Sequence, residues 1–267
     1  MKKPFVYVIA GSILVLLLVS TVFVLTRKKG QIKEAPKLSF LKEADKALLG
    51  GDLVKAKKLY EKAKEQTDNV SKLKAIQEKI EYINTKLLFS TALDECSTIY
   101  VVKPNDALAK IARAFNTTVN FIKRANGLES NTIWPGQQLK INTCKFSIVI
   151  DKSQNILFLK RAGEVIKTYT VATGKDKSTP IGNFKIVNKL INPTWFRTGA
   201  VIPPDSPDNI LGSRWIGIDM KGYGIHGTNE PQNLGKHITM GCVRMKNEEV
   251  EELFDISPIG TEVVIVD

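Results

Sequence analysis

The densest chemistry in the 267-residue chain lies in GYGIHGTNEPQNLGKHITMGCVRM, residues 222 to 245. Both of the chain's histidines, His226 and His237, fall in this block, together with Cys242, one of three cysteines. Cys242 sits between Gly241 and Val243, so the backbone can turn sharply beside it and expose a thiol along with neighbouring N–H groups. A thiol is a strong nucleophile only as the thiolate, which requires a base within reach. His226 lies sixteen residues earlier, at the end of an apolar strand and just before Gly227, where an imidazole can project into a cleft. A Cys–His pair of this kind attacks carbonyls, and a third group must orient the ring. Residue types alone leave two readings open, a catalytic thiol and an inert buried one, the commoner state of a free cysteine. A zinc site from His226, His237 and Cys242 matches no ligand-motif spacing. The expected chemistry therefore needs no metal and no cofactor, since a thiolate with an oxyanion hole suffices for acyl transfer.

These residues need a scaffold, and from Phe146 the pattern shifts to period two. FSIVID, ILFLK and VIKTYTVATG alternate apolar and polar residues around the turn segments KSQN and RAGE. Further strands are predicted at FKIV, RWIGID and TEVVIVD, with a helix from about Asn247 to Phe254 that supplies Val250 and Leu253 to the core. Residues 145–267 thus form a mostly-β domain long enough for one ordinary core. Ahead of it, residues 38–95 read as helices. Phe40, Leu41, Ala44 and Leu48 share one face, and Gly50-Gly51 stops that helix. Asp52 caps a second helix carrying Leu53, Ala56, Leu59, Tyr60 and Ala63. A third, from Val70 to Leu88, carries Leu73, Ile76, Ile80, Ile83 and Leu87. The hairpin resembles one tetratricopeptide-type unit without a second copy, which suits a spacer.

At the N-terminus, a tail of residues 1–4 precedes FVYVIAGSILVLLLVSTVFVL, Phe5 to Leu25, without one charge. Roughly 20 such residues cross the hydrocarbon core, so residues 5–26 are predicted to be an uncleaved transmembrane anchor in a lipid bilayer, followed by a linker over 27–37. Lys2 and Lys3 on one side and Arg27, Lys28 and Lys29 on the other leave orientation undecided by charge. The chain's 39 basic and 27 acidic side chains give a net charge of +12, yet residues 145–267 are nearly neutral, with 15 and 14. Much of the excess flanks the apolar segment instead of forming a basic face, so no nucleic-acid partner is expected. A composition of 43% hydrophobic and 25% charged residues excludes bulk disorder.

Residues 98–143 place Tyr100 to Val102 in a strand, Asp106 as the cap of a helix containing Leu108, Ile111, Ala112 and Phe115, and Val119, Phe121 and Ile122 in a second helix ended by Asn126-Gly127. Trp134-Pro135-Gly136 then turns into a closing strand, Gln138 to Ile141. Through Y-x-V-x-x-x-D-x-L, the IARAFNTT block, ANGL and PGQQLKI, this stretch resembles the lysin motif (LysM) family. That resemblance implies a β-α-α-β module binding N-acetylglucosamine-containing glycan strands, with Asn105 and Ala107 departing from the usual Gly and Thr of the sugar loop. Cys96 and Cys144 flank its outer strands, whose antiparallel pairing would join them in a disulfide, worth on the order of 4 kcal/mol and persistent only outside a reducing cytoplasm.

His226-Gly227-Thr228 followed by Thr239-Met240-Gly241-Cys242-Val243-Arg244-Met245 resembles the active-site signature of the L,D-transpeptidase catalytic-domain family. Upstream, Thr173-Gly174-Lys175, Thr179-Pro180-Ile181-Gly182-Asn183-Phe184, Asn192-Pro193-Thr194-Trp195 and Leu211-Gly212-Ser213-Arg214-Trp215 fit the same family. Met240 stands where some members have His, and Ile210 where Pro often precedes Leu-Gly. The resemblance implies Cys242 as nucleophile, His226 as its base or ion-pair partner and the Gly227 carbonyl as ring orienter. It further implies an oxyanion hole from the N–H groups of Met240, Gly241 and Cys242, and Arg244, Thr228 and Thr239 as substrate-binding candidates. The implied reaction attacks the L-centre carbonyl of the third residue of a peptidoglycan tetrapeptide stem, releases a D-amino acid and passes the acyl group from a thioester to an amine or water. The acceptor would make the enzyme a 3-3 cross-linker, an L,D-carboxypeptidase or a protein-anchoring enzyme; a peptidoglycan-binding scaffold with an inactive catalytic domain is the rival from another class, and a peptidase acting on proteins lacks its motifs. The expected whole is a multidomain α+β protein: one transmembrane helix, a helical hairpin spacer, a β-α-α-β LysM module and a mostly-β catalytic domain, held on the wall side of a bacterial membrane.

Overall fold

The computed structural model describes residues 35–197 and 199–267. The anchor expected over residues 5–26 lies outside them, and no helix among the described residues is long and apolar enough to cross a membrane. Three helices open the described chain: α1 (Ala35–Leu49), α2 (Leu53–Glu65) and α3 (Val70–Leu88). Helix α1 begins before the expected end of the linker because Pro36 falls in its first turn, where a missing N–H costs no hydrogen bond. The left-handed Gly51 (φ 78°) breaks the chain, and the Asp52 carboxylate caps α2 by accepting from Lys55 N at 3.0 Å. Ala44, Ala56, Tyr60, Ala63, Ile80 and Ile83 form the shared core of the three helices.

The next module has strands β1 (Ser97–Val101) and β2 (Gln138–Asn142), paired antiparallel from Ser97 opposite Asn142, around helices α4 (Leu108–Ala114) and α5 (Val119–Asn126). Its core is Val102, Leu108, Ile111, Ile122, Leu139 and Ile141. Gly127 ends α5 in the left-handed region, φ 63°. The expected cap at Asp106 is corrected here: Ala107 holds the cap position and makes no side-chain bond. The Asp106 carboxylate is committed instead to its own strand side, accepting from Tyr100 Oη at 2.7 Å and Lys103 N at 2.8 Å.

The C-terminal domain is built on an eight-stranded sheet. Its strands are β3 (Phe146–Asp151), β4 (Ile156–Arg161), β5 (Glu164–Thr170), β7 (Gly182–Ile191), β10 (Arg214–Ile218), β11 (Gly224–His226), β13 (Val243–Arg244) and β14 (Glu262–Val266). The order is β13-β11-β10-β7-β14-β3-β4-β5, with β14 parallel to β3 and β11 parallel to β13. Two small pairs complete it: β6 (Thr173–Gly174) with β12 (His237–Thr239), and the hairpin β8 (Trp195–Arg197) with β9 (Ala200–Ile202). Helix α6 (Asn247–Ile256) buries Val250, Leu253, Phe254 and Ile256.

The parts are packed into one another. Asn84 and Glu81 of α3 bond the edge strand β5 at Ile166 O and at Thr168, closing an edge that would otherwise be open. Phe121 of α5 leaves its own module's core to pack edge-on against Phe146 and Phe89 in the C-terminal core. Asp255 at the end of α6 receives Asn120 and Arg124, while its carbonyl accepts from the Thr118 hydroxyl. Beneath this contact Arg161 and Asp94 form a buried pair at 2.6 Å, and Cys96 is bonded to Cys144.

Candidate active site

The site is assembled by neighbouring strand ends. His226 closes β11, Cys242 immediately precedes β13, and the parallel pairing of these strands sets His226 opposite Arg244. The His226 ring is buried and stacks on Trp215 of β10, with centroids 5.8 Å apart and planes 19° from parallel. Its Nδ1 lies 2.7 Å from the Gly227 carbonyl, an arrangement that requires the proton on Nδ1 and leaves Nε2 as the basic lone pair. A Cβ on Gly227 would sit 2.1 Å from Asn247 Oδ1, so a larger residue there requires the Asn247 side chain to move.

Burial pushes the His226 imidazole down to about 4; the Gly227 and Leu211 carbonyls work against this and the Arg244 charge adds to it. Burial likewise pushes the Cys242 thiol up, offset in part by the Gly224 backbone and Arg244. Both shifts favour the neutral thiol and the neutral imidazole over an ion pair. Sγ points to the Gly222 carbonyl at 3.5 Å, and among the described residues it makes no hydrogen bond to His226. Catalytic contacts of this kind commonly tighten only when substrate is bound.

Four residues of the surrounding loop, Gly241, Thr239, Thr228 and Arg244, are engaged with their neighbours. Gly241 N–H donates to Thr239 Oγ1 at 3.1 Å. Thr239 in turn donates to the Cys242 carbonyl at 2.6 Å and is buried, so it braces the turn. Thr228 is also buried, its hydroxyl accepting from Glu230 N at 3.0 Å, and Arg244 is tied to Glu230 at 3.2 Å. Among the described residues the N–H groups of Met240 and Cys242 have no acceptor, and the Met240 side chain is 89% exposed at the mouth of the turn. His237 sits apart from this centre, its ring against Thr173 and Asn155. Among the described residues no three His, Cys, Asp or Glu side chains are placed to share a metal ion.

Cys242 opens into a cleft of about 260 Å³ walled by Leu190, Trp195, Phe196, Leu211 and Trp215. Phe196, on the β8–β9 hairpin, is 75% exposed. The residue types in Asn192-Pro193-Thr194-Trp195 contained the signal for this wall, but their spacing could not show that the hairpin folds over the thiol. Two supporting residues had no assigned role: Asn247, which accepts from Ser213 N at 3.1 Å while packing on Gly212 and Gly227, and Thr179, which donates to the Gly241 carbonyl at 2.9 Å.

Residues 145–265 match the family model described as the L,D-transpeptidase catalytic domain (YkuD), and residues 100–142 match the LysM domain model. YqjB of Bacillus subtilis (strain 168), a candidate L,D-transpeptidase, is 44% identical over 126 residues, covering 45% of this chain and 70% of that protein. YkuD of Bacillus licheniformis, named in the same way, is 35% identical over 175 residues, covering 62% of this chain and 98% of that protein. Among solved structures, the L,D-transpeptidase from Mycobacterium smegmatis aligns with TM-score 0.39 at 19% identity, over 49% of this chain and 64% of that one. With nearly the whole of one relative spanned at this identity, the chain belongs to the L,D-transpeptidase family and carries a LysM domain.

Proposed function

We propose that this protein is a peptidoglycan L,D-transpeptidase, anchored in the bacterial membrane through residues 5–26 with its LysM and catalytic domains on the wall side. The observation that carries the reading is the lock on His226: a buried, neutral ring whose Nδ1 proton is fixed on Gly227, leaving Nε2 as a base on the strand beside an accessible thiol. In the proposed reaction the Cys242 sulfur attacks the L-centre carbonyl of the third stem residue as His226 Nε2 takes the thiol proton. The carbonyl electrons move onto oxygen, which the Cys242 and Met240 N–H groups face. Collapse of this intermediate breaks the bond to the terminal D-amino acid, whose nitrogen recovers the proton from His226. The thioester is then resolved by the side-chain amine of a neighbouring stem, giving a 3-3 cross-link, or by water.

The LysM fold supports delivery to glycan strands, and the Cys96–Cys144 bond suits an oxidising compartment. The test uses the full chain in detergent with disaccharide-tetrapeptide, followed by mass spectrometry. Expected products are a free D-amino acid and a dimer joined 3-3, both lost in Cys242→Ala. Release of the D-amino acid without dimer assigns water as acceptor. Unchanged dimer from Cys242→Ala would refute the mechanism.

A further inference from the structure

Thr179 lies 62 residues before Gly241 in the chain, in the turn between β6 and β7, and is fully enclosed at 1% exposure. Its hydroxyl has both of its roles assigned by neighbours. Gly174 N–H donates to Oγ1 at 2.7 Å, so the hydroxyl proton is left to point at the Gly241 carbonyl, 2.9 Å away. Gly174 belongs to β6, which pairs with β12 opposite Thr239, so the contact is set by sheet pairing and not by a mobile loop. The space is tight: a Cβ on Gly174 would lie 2.6 Å from Thr179 N, and one on Gly241 would lie 2.5 Å from the Tyr223 ring.

The carbonyl that Thr179 holds belongs to the peptide joining Gly241 to Cys242. A trans peptide is planar, with its C=O and N–H pointing in opposite directions. Fixing the Gly241 oxygen on a buried hydroxyl therefore aims the Cys242 N–H the other way, out of the interior and beside Sγ. Thr239 fixes the two flanking groups, Gly241 N–H and the Cys242 carbonyl, but touches neither atom of this peptide's outward donor. Gly241 sits at φ +129°, where a glycine linkage rotates readily, so without Thr179 that peptide is free to turn.

We infer that Thr179 is a positioning residue for acyl transfer: its hydroxyl, by holding the Gly241 carbonyl, orients the Cys242 N–H that binds the oxyanion. It does not touch substrate. The inference rests on the acyl-transfer reading above and adds to it a residue whose effect is confined to steps that develop charge on a carbonyl oxygen.

The test compares two reactions of the same thiol in the full chain. Acylation by the carbapenem imipenem passes through a tetrahedral oxyanion, whereas alkylation by iodoacetamide displaces iodide from carbon and needs no oxyanion hole. Thr179→Val keeps the shape and removes the hydroxyl. It should slow acylation about a hundredfold, the effect of losing one such donor, while alkylation stays within about twofold of wild type. Thr179→Ser should restore acylation. Equal loss of both rates in a folded Thr179→Val protein, or no loss of acylation, overturns the inference. If the valine variant fails to fold, slow acylation by a folded Thr179→Ser overturns it as well, because the serine retains the hydroxyl. A wild-type protein that alkylates but never acylates overturns both this inference and the acyl-transfer reading, whereas acylated wild type with normal acylation in Thr179→Val removes this inference alone.

Discussion

His226 is held neutral by its surroundings, and that has a consequence for pH. The unfolded ring takes a proton near its ordinary value of 6.5, while the folded ring resists until about 4. Below 6.5 the unfolded state therefore binds more protons, so this residue's contribution to stability is complete above that pH and is lost as pH falls, reaching about 3 kcal/mol at pH 4. Denaturant unfolding at about pH 7.5 and about pH 4 should show this loss in wild type and a smaller one in His226→Gln. Identical slopes in the two proteins would contradict a buried neutral ring. The contact of the His226 ring with the Gly227 carbonyl was legible because the two are chain neighbours, whereas Cys242, sixteen residues later, is brought beside them by the pairing of β11 with β13. Thr228, Thr239 and Arg244 are in the same motif, but sequence order shows proximity to the thiol and not direction: both threonines are buried, and Arg244 is paired with Glu230. Thr179 was visible only as part of a family pattern, since its contact to Gly241 depends on β6 pairing with β12.

The turn carrying the thiol is an element whose shape depends on one glycine. At Gly241 an added Cβ would meet the Tyr223 ring at 2.5 Å and the Ser178 carbonyl at 2.9 Å, with φ at +129°. Gly241→Ala must shift the turn and with it the Cys242 N–H, so acylation by imipenem should slow on the order of a hundredfold. Acylation at the wild-type rate would show that the turn tolerates the change. The helices were readable element by element: three- and four-residue apolar steps, Asp52 as cap and Gly127 as stop all act within one or two turns. Asp106 misled because a carboxylate just ahead of a helix can bond backward as well as forward, and here Tyr100 and Lys103 claim it. The parallel pairing of β14 with β3 and of β11 with β13 left no local mark, since period-two alternation is the same for either strand direction.

Across the whole molecule, the LysM domain is fixed to the catalytic domain instead of trailing on a tether. Phe121 sits in the catalytic core, Asp255 receives α5, and the disulfide closes the module at its base. The sequence placed Phe121 in the module's second helix but could not say in whose core its ring would lie. The fixed junction predicts a single calorimetric transition for LysM and catalytic domains; a separate LysM transition would contradict it. Arg161→Ala leaves the Asp94 carboxylate buried beside Cys96 without its partner, and should lower stability by about 3–5 kcal/mol in denaturant unfolding. A change under about 1 kcal/mol would mean that water reaches Asp94 and the junction is looser than described.

The central claim is that Cys242 is an acyl-transfer nucleophile. Intact mass of the full chain after incubation with imipenem tests it most directly. Wild type should gain one carbapenem mass and Cys242→Ala none, with the Cys96–Cys144 disulfide intact in both. An unmodified wild-type protein whose Cys242 is reduced and still alkylated by iodoacetamide would contradict it.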